Sequence, residues 1–345
     1  MIDVLVAGGG PAGLATAIGC TLAGLQVVVA EPRGFPVDKA CGEGLMPGAL
    51  PRLAALGVEV TGHPIRGIRY TDTGHRADAA FRHGDGLGVR RTELHAAFAR
   101  RTAALGIPVL PRRVTSVAQD ATGVTAADIR ARFLVAADGL HSPVRRFLGL
   151  DPPPSRWPRY GLRRHYRAAP WSDLVEVHFA ADCEAYVTPI ADDLVGVAVL
   201  GSPARGAARG GLDSRLEEFP ELSERLSGAA HESATRGAGP LRQDVRRRVA
   251  GRVLLVGDAA GYLDALTGEG IGAAVAQAAV LTRCLAADRP GDYERAWRQV
   301  TRKGWMLTSS LLWSRHQPVL GSRLVPAAAR LPWLFAMIVN EVAWA

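Results

Sequence analysis

Short runs of apolar residues without polar interruption occur at four separate places in the chain and predict buried strands. The runs are VLVA at 4–7, VVVA at 27–30, FLVA at 133–136 and VLLV at 253–256. Uninterrupted apolar runs of this length are typical of parallel strands that are covered on both faces. Between the first two runs, the apolar residues of segment 14–25 recur at helical spacing. The pattern therefore predicts an N-terminal strand–helix–strand unit in an α/β fold.

A different pattern occupies the middle of the chain, between residues 155 and 200. Turn residues separate four segments that alternate apolar and polar positions or are rich in β-branched residues: YGLRRHYRAA, DLVEVHFA, EAYVTPIA and DLVGVAVL. This pattern predicts an antiparallel sheet. We expect the sheet to form the floor of a substrate cavity.

Helical segments rich in tryptophan are predicted from residue 297 onwards. They contain five of the seven tryptophans: Trp297, Trp305, Trp313, Trp333 and Trp344. We interpret these helices mainly as a cap that packs on the rest of the molecule. A dimer contact and a contact with a membrane surface are the alternatives, and both a monomer and a homodimer are compatible with the sequence.

The composition is that of an ordinary globular protein, with 48% hydrophobic and 21% charged residues among 345. A chain of this length suggests about two domains of roughly 150 residues each. The net charge of +8 raises the question of nucleic-acid binding. However, only Lys39 and Lys303 are lysines, the arginines are dispersed, and no basic motif interleaved with aromatic residues occurs. We therefore expect no nucleic-acid partner.

The cysteines indicate the compartment. Cys20, Cys41, Cys183 and Cys284 are too far apart in sequence to suggest a zinc site or a disulfide framework. We therefore predict no metal site and a reducing, cytoplasmic location. The first strand pattern begins without a charged leader, and polar residues interrupt every apolar stretch before the length of about 18 residues that a membrane span needs.

The first strand is followed by a glycine-rich turn, GGGPAG, in which Gly8, Gly10 and Gly13 fit the pattern G-x-G-x-x-G. In this geometry one glycine makes the tight turn, one lets a pyrophosphate approach the backbone, and one lets helix and strand pack closely. The helix N-terminus then faces the phosphates. Glu31 closes the second strand, where its carboxylate can accept hydrogen bonds from an adenosine ribose. The motif predicts a dinucleotide site, without distinguishing FAD from NAD(P).

Two later stretches of the sequence favour FAD, the longer of these two ligands. The third apolar run ends at Asp138-Gly139, ahead of Ser142 and Arg145 on a predicted helix. For Asp138 and Gly139 alone, a cap between strand and helix is the simpler interpretation. The fourth run ends at Gly257-Asp258, and the glycines of TGEGIG at 267–272 then open a long alanine-rich helix. A single nicotinamide dinucleotide does not need this second glycine-lined approach.

Together with RTELH at 91–95, these motifs resemble the FAD-dependent oxidoreductase superfamily that contains class A flavin monooxygenases (aromatic hydroxylases), flavin-dependent halogenases and geranylgeranyl reductases. The resemblance implies a Rossmann-like FAD-binding domain of the glutathione-reductase type, an inserted antiparallel β-sheet substrate domain and a helical C-terminal region. The limits that we predict are 1–60, 87–150 and 250–290 for the FAD-binding domain, 61–86 and 151–249 for the β-rich domain, and 291–345 for the helical cap.

The resemblance also implies which residues bind FAD. The glycine turn would bind the pyrophosphate, Glu31 the ribose, Arg91 the pyrophosphate region, the Val114 backbone the adenine, and Asp258 the ribityl chain or a phosphate. The helix opened by TGEGIG would direct its N-terminal amides at the flavin pyrimidine ring, where a helix dipole stabilises negative charge. The full predicted set is Gly8, Gly10, Pro11, Ala12, Gly13, Glu31, Arg33, Cys41, Gly42, Arg91, Val114, Asp138, Gly139, Gly257, Asp258, Gly268, Gly270, Ile271 and Gly272.

Two residues are weak candidates for catalysis. Cys41 lies in DKACGEG, and many geranylgeranyl reductases have a similar lysine, cysteine and glycine cluster beside the flavin. A small packing residue, a redox or acid group, and an inert buried thiol are the three interpretations of Cys41. Tyr186 lies in EAYVTP, which partly parallels YxWxFP of prenyl reductases and WxWxIP of halogenases, although Glu184 and Thr188 depart from both.

The resemblance favours an NAD(P)H-dependent monooxygenase that uses O2 to hydroxylate or epoxidise a hydrophobic small molecule, with natural-product biosynthesis as its setting. A flavin-dependent ene or prenyl reductase of the geranylgeranyl-reductase type is the alternative. A non-catalytic flavin or lipid binder is the alternative of another class. Halogenation is disfavoured, because the only lysines are Lys39, in the predicted flavin-side loop, and Lys303, on a late helix.

Overall fold

The computed structural model describes residues 1–202 and 211–344, and Gly210, predicted to lie in a surface loop, falls outside them. Eleven helices lie within these residues: α1 (Pro11–Leu22), α2 (Ala49–Ala55), α3 (Arg91–Ala104), α4 (Pro143–Phe147), α5 (Gly211–Leu216), α6 (Pro220–Arg225), α7 (Gly270–Ala286), α8 (Tyr293–His316), α9 (Pro318–Gly321), α10 (Leu324–Arg330) and α11 (Pro332–Trp344). Short 3-10 helices span Gly257–Ala260 and Pro290–Asp292.

The strands form three sheets. They are β1 (Ile2–Ala7), β2 (Val27–Ala30), β3 (Gly44–Leu45), β4 (His63–Ile65), β5 (Gly67–Thr71), β6 (Arg76–Ala80), β7 (Gly86–Gly88), β8 (Val109–Leu110), β9 (Val117–Gln119), β10 (Val124–Ala126), β11 (Ile129–Ala136), β12 (Tyr160–Arg167), β13 (Leu174–Phe179), β14 (Cys183–Ala191), β15 (Leu194–Gly201), β16 (Ala230–His231), β17 (Arg236–Ala238), β18 (Val249–Ala250) and β19 (Val253–Leu255).

The first sheet is built around the four apolar runs. Its order is β18-β19-β11-β1-β2-β8, and β19, β11, β1, β2 and β8 are parallel. Helices α1 and α7 pack against each other over this sheet, and a Cβ on Gly19 would lie only 2.8 Å from Thr282 Oγ1. The bare backbone at Gly19 therefore lets the two helices approach closely.

The second sheet has the order β16-β12-β15-β14-β13-β5-β6, and β17 also pairs with β12. Its pairs are antiparallel except for β13 and β5, which run parallel. Strands β5 and β6 come from residues 67–80, far before β13 in the chain. A long connection therefore joins β5 to β13, as a parallel pair requires. The sheet confirms the predicted fold: a Rossmann-like domain, a mostly antiparallel sheet and a helical C-terminal region. The domain limits stay a prediction.

The two faces of the second sheet are covered differently. On one face, Val187 and Val197 pack with residues of α5 and α6 such as Leu222. On the other face, Val177 and Tyr186 pack with the C-terminal helices α8, α10 and α11 in one apolar cluster. The C-terminal helices therefore lie directly on the face that carries Tyr186. Within residues 1–202 and 211–344, no helix combines the length and apolarity needed to cross a membrane, and the cytoplasmic location stays a prediction.

A small third sheet, β3-β7-β4, joins the first two. It connects the loop after β2 to the segment before α3, with Gly44 opposite Gly88. A Cβ on Gly88 would lie 1.7 Å from Pro189 O of β14, so only glycine allows this approach. The result is that residues 38–45 are held between the parallel sheet and the second sheet.

Candidate functional site

The glycine turn between β1 and α1 leaves a helix N-terminus open. Gly8 has φ of 106°, a conformation that favours glycine, and a Cβ on Gly13 would lie 1.9 Å from Gly8 O. The helix therefore sits against the turn. A Cβ on Gly10 would meet no atom within 4 Å, Pro11 occupies the first helical position, and no side chain caps the helix. The free N–H groups of this N-terminus are available to an anion.

Glu31 lies at the end of β2, as predicted, and its side chain is almost fully buried. Its Oε2 accepts hydrogen bonds from Gly9 N at 2.8 Å and Arg33 Nη2 at 3.0 Å, and its Oε1 accepts from Arg33 N at 3.0 Å and Nε at 2.8 Å. Burial raises its pKa, but the hydrogen bonds from Arg33 and Gly9 outweigh burial and lower it. The carboxylate is ionised, and a ribose hydroxyl would have to replace the half-exposed side chain of Arg33.

His95 on α3 forms hydrogen bonds with both the glycine turn and the loop after β2. Its Nδ1 accepts a hydrogen bond from Val37 N at 2.8 Å, so its Nε2 carries the hydrogen and donates it to Gly9 O at 2.6 Å. Burial lowers the pKa of His95, which favours this neutral form. The imidazole therefore fixes the glycine turn to the segment that follows β2.

Arg91, at the start of α3, has a buried side-chain nitrogen without a hydrogen-bond partner. Its guanidinium is buried, and Nη1 has no hydrogen-bond partner. Burial lowers its pKa, opposed by the nearby Cys41, Asp258 and Glu43. A buried cationic donor without a partner is costly. A pyrophosphate at this position would satisfy it, so the residues present fit a dinucleotide with a charged linkage.

The second glycine motif reaches the first one. A Cβ on Gly257 would lie 2.6 Å from Ala12 Cβ, which places Asp258 next to the N-terminus of α1. The α7 N-terminus has no side-chain cap, and the nearest atoms to a Cβ on Gly270 belong to Tyr262, at 3.7 and 3.8 Å. Gln277 accepts from Gly257 N at 2.8 Å and holds the turn to α7. Two uncapped helix N-termini are thus brought to one crevice.

The DGxxSxxR element has a structural role in this fold. Asp138 Oδ2 accepts from Val144 N at 3.0 Å, and Ser142 Oγ accepts from Arg145 N at 2.9 Å, so both side chains cap α4. Arg145 donates to Asp151 at 2.8 Å and anchors the following loop. Burial raises the pKa of Asp138, and its Oδ1 has no partner. The cap interpretation is therefore what the contacts support, and a role in FAD binding stays a prediction.

Glu43 is the centre of a buried network that the sequence did not indicate. Its Oε1 accepts from Arg91 N at 2.8 Å, and its Oε2 bonds His165 Nε2 at 2.6 Å. His165 Nδ1 lies 3.2 Å from Arg163 Nη1 and 2.8 Å from Ser233 Oγ. Because Arg163 can only donate, Nδ1 accepts and Nε2–H donates to Glu43. The carboxylate thus joins α3 to β12 of the second sheet.

Other side chains of the second sheet hold the same loop. Arg163 Nη2 donates to Lys39 O at 2.9 Å and also bonds Asp38, and Thr188 Oγ1 donates to Gly42 O at 2.8 Å. The signal that could have revealed this was the alternation in β12, because Arg163 and His165 occupy inward positions of a strand that should bury apolar residues there. Polar residues at buried strand positions require partners.

Cys41 lies inside this crevice. Burial raises the pKa of its thiol, and Arg91 opposes the rise, so the sulfur is protonated at neutral pH. The Glu43 N–H points to Cys41 Sγ at 3.4 Å. Tyr262, which borders the α7 N-terminus, is close enough for its pKa to respond to Cys41. The structure therefore brings Cys41, Arg91 and Asp258 together.

Tyr186 faces the C-terminal helices. Its hydroxyl donates to Leu266 O at 3.1 Å, just before α7, and burial raises its pKa well above the ordinary value. Glu184, in place of the family's aromatic residue, forms buried ion pairs with Arg159 and Arg315, each at 2.6 Å. Glu184 therefore forms a charged link between β14 and α8.

The remaining predicted cofactor residues lie around the same crevice or at its ends. The Val114 side chain is buried in the core of the parallel sheet, so its backbone is the part that could face adenine, and Ile271 packs against that core. A Cβ on Gly42 would meet no atom within 4 Å, one on Gly272 would lie 3.4 Å from Ala49, and Gly268 has φ of 69°. The individual roles of these residues stay predictions.

Comparison with known proteins places the chain in a family. The model of the family described as "FAD binding domain" matches residues 1–296. The chain is 28% identical to menaquinone reductase of Mycolicibacterium smegmatis, covering 86% of this chain and 79% of that protein. It is 27% identical to digeranylgeranylglycerophospholipid reductase 1 of Methanothermobacter thermautotrophicus (86% and 82%). It is 31% identical to rifampicin monooxygenase of Streptomyces venezuelae (84% and 65%).

A solved structure supports the fold. A flavoprotein/dehydrogenase from Cytophaga hutchinsonii superposes with a TM-score of 0.88 at 20% identity, over 99% of this chain and 93% of that chain. At this identity the likeness shows the fold alone. The family match confirms the predicted superfamily and FAD as the cofactor. Use of NAD(P)H as the electron donor stays a prediction.

Proposed function

The chain belongs to the FAD binding domain family and is an FAD-dependent oxidoreductase, and on that premise we propose that it reduces a carbon–carbon double bond of a lipid-soluble, prenyl-type substrate. The observation that carries this proposal is the place of Cys41. Its thiol belongs to a partly exposed side chain close to Arg91, whose guanidinium also has Asp258 nearby, and close to Tyr262, which borders the N-terminus of α7. Reduction of a double bond needs a proton donor in such a place, in addition to a hydride.

FAD held by these residues, once reduced by NAD(P)H, would supply the hydride that adds to one carbon of the double bond. We assign the glycine turn and Arg91 to the pyrophosphate, Asp258 to the ribityl chain, and the N-terminus of α7 to the pyrimidine edge. Cys41 Sγ–H gives its proton to the other carbon. The Arg91 charge and the Glu43 N–H stabilise the thiolate that remains, and a proton from solvent then restores the thiol.

The relatives support a reductase in a second way. The chain spans a larger share of the two reductases than of the monooxygenase. Both reductases are named for lipid substrates, menaquinone and a digeranylgeranyl phospholipid.

Oxygen insertion, which the sequence resemblance favours, is the second candidate. The observation in its favour is the 31% identity to rifampicin monooxygenase across 84% of this chain. In that case the same crevice would bind FAD, a pocket that excludes water would protect the reaction, and O2 would be the co-substrate. NAD(P)H is the electron donor that we propose for either reaction.

The test is to reduce the FAD-containing protein with NADPH without oxygen and then to add menaquinone, a geranylgeranyl phospholipid or O2. Reoxidation of the flavin by a prenyl lipid in the absence of O2 supports the reductase if the product has gained two hydrogen atoms at a carbon–carbon double bond and not at a quinone ring. The fully saturated phytanyl phospholipid is the matched control and should not reoxidise the flavin. Reoxidation by O2 alone with a hydroxylated product supports the second candidate, and no response to any acceptor overturns both.

A further inference from the structure

The C-terminal helices leave a group of large apolar side chains in contact with solvent. Single exposed apolar residues are common on proteins, but several exposed tryptophans and methionines on two linked helices are typical of an interaction surface. We call this group the apolar C-terminal surface, and it consists of Met306, Trp313, Trp333, Met337, Ile338 and Trp344. Trp313 and Trp333 are 61% and 65% exposed.

These side chains lie on adjoining helix faces. Met306 and Trp313 are two turns apart on α8, and the other four members occupy one side of α11. An ion pair between Lys303 of α8 and Glu341 of α11 joins the two helices. Lys303 lies one turn from Met306, and Glu341 lies one turn from Ile338. The opposite side of α11, with Phe335 and Val339, packs on the second sheet. The outer side of α11 therefore carries four large apolar side chains, and Glu341 is its one charged residue.

The charge around this surface is one-sided. Segment 300–344 contains five basic residues and a single acidic one, Glu341. Lys303 is paired with Glu341 and Arg315 with the buried Glu184, so three arginines form the basic excess. Arg302, Arg323 and Arg330 are exposed. Helices that lie in the interface of an anionic bilayer typically combine exposed tryptophan and other apolar side chains with exposed basic residues. A second copy of the chain would instead bring the same arginines together, which costs free energy.

The surface lies beside the candidate active site. Gly48 N donates to Ala343 O at 3.0 Å, and a Cβ on Gly48 would lie 2.9 Å from Trp344 Cα. The end of α11 therefore rests against the segment that follows the Cys41 loop. A small crevice there is lined by residues of that segment, of the α7 N-terminus and of α11, among them Gly44, Gly272 and Ala343.

We propose that the apolar C-terminal surface binds the face of an anionic lipid bilayer, with α11 lying in the plane of the interface. The binding does not depend on which reaction the site performs. A path for a lipid-soluble substrate from the bilayer to the crevice at the end of α11 is the part that rests on the proposed function. Docking there would let such a substrate enter without crossing water.

The test is flotation of the full FAD-containing protein with vesicles of phosphatidylglycerol and phosphatidylcholine, and with vesicles of phosphatidylcholine alone. We expect binding to the anionic vesicles that weakens at high salt. Arg323→Gln with Arg330→Gln should lower the partition coefficient about 25-fold, because each arginine near the surface contributes a factor of about five. Trp333→Ser with Met337→Ser should lower it at least about tenfold.

Matched controls come from elements outside the C-terminal helices. Phe147→Ser removes an exposed apolar side chain of α4, and Arg100→Gln with Arg146→Gln removes the same charge as the test pair. These variants should bind vesicles like the unmodified protein, and retained flavin absorbance shows that every variant is folded. Absence of vesicle binding, equal loss in test and control variants, or self-association that only Trp333→Ser with Met337→Ser abolishes would overturn the proposal.

Turnover of detergent-dissolved substrate separates this inference from the proposed function. Vesicle binding without any turnover of prenyl lipids supports the surface and counts against the reductase. Turnover in detergent without vesicle binding supports the reductase and overturns the surface. If both hold, substrate in anionic vesicles should be consumed faster than substrate in phosphatidylcholine vesicles, and the Trp333→Ser, Met337→Ser variant should lose that difference.

Discussion

The carboxylate of Glu43 lies 2.6 Å from Nε2 of His165, and neither side chain is more than 1% exposed. One residue belongs to the loop beside the cofactor crevice and the other to the second sheet. Removal of either leaves a buried polar group without its partner, which costs about 1–3 kcal/mol of unfolding free energy. The pair therefore couples the position of Cys41 to the sheet.

We predict that Glu43→Ala and His165→Ala are non-additive. A double-mutant cycle in urea unfolding should give a coupling free energy of about 0.5–3 kcal/mol, because the second substitution removes a group that the first has already left unpaired. Glu59→Ala combined with His165→Ala is the control, since Glu59 is exposed and lies outside the network. A coupling free energy of zero between Glu43→Ala and His165→Ala would contradict this prediction.

Glu31→Ala should release FAD during purification without unfolding the protein. If its carboxylate binds the ribose, the loss of a charge-assisted hydrogen bond of about 1.5–3 kcal/mol raises the dissociation constant of FAD about 10- to 150-fold. Fluorescence titration of the apoprotein with FAD measures the change, and Glu59→Ala serves again as the control. A variant that keeps its full FAD complement would show that the ribose is bound elsewhere.

Gly270→Val tests whether the flavin lies at the N-terminus of α7. A Cβ at Gly270 would make only ordinary van der Waals contacts, with Tyr262 at 3.7 and 3.8 Å. The variant should therefore fold, but the valine should crowd a planar ring, weaken FAD binding and slow flavin reduction. Gly74→Val, where a Cβ would meet no atom within 4 Å, is the matched control. Unchanged FAD affinity, absorption spectrum and flavin reduction rate in Gly270→Val would contradict a site in which FAD contacts both the glycine turn and the N-terminus of α7.

Cys41→Ser distinguishes proton donation from packing. A serine hydroxyl is a far weaker acid than a thiol, so loss of the proton donor should slow prenyl reduction about a hundredfold or more. Reduction of the flavin by NADPH should be unchanged, because that step does not use the thiol. Stopped-flow measurement of the two half-reactions separates them. Turnover within about tenfold of the unmodified protein would instead indicate a packing role.

The buried His95 predicts a dependence of stability on pH. Its pKa is lowered in the folded protein from 6.5, mainly by burial, so below pH 6.5 the unfolded chain binds more protons than the folded one. The contribution of His95 is complete above pH 6.5 and is lost as pH falls towards its folded pKa. Urea unfolding across this range measures the slope. His95→Gln, which can still donate to Gly9 O, should flatten it, and an unchanged slope would assign the effect to another group.

The sequence predicted those parts of the site whose chemistry is local. The glycine turn, Glu31 at the end of β2, and the TGEGIG start of α7 each depend on residues within one strand–turn–helix unit. The Glu43–His165 pair could not be predicted in this way, because its members are 122 residues apart and meet only through the pairing of the second sheet. The cover of Tyr186 by α8, α10 and α11 depends on tertiary packing for the same reason.

The contact of Ala12 with Gly257 has a consequence for the order in which the protein is made. The first glycine motif leaves the ribosome early, but one wall of its crevice is synthesised 245 residues later. At roughly 5–20 residues per second this interval is about 12–50 s. During that time the N-terminal strand–helix–strand unit has neither α7 to cover α1 nor Asp258 beside its glycine turn. If FAD binds at both glycine motifs as proposed, cofactor capture is a late event in the life of each new chain, and a product truncated before Gly257 has no complete crevice for FAD.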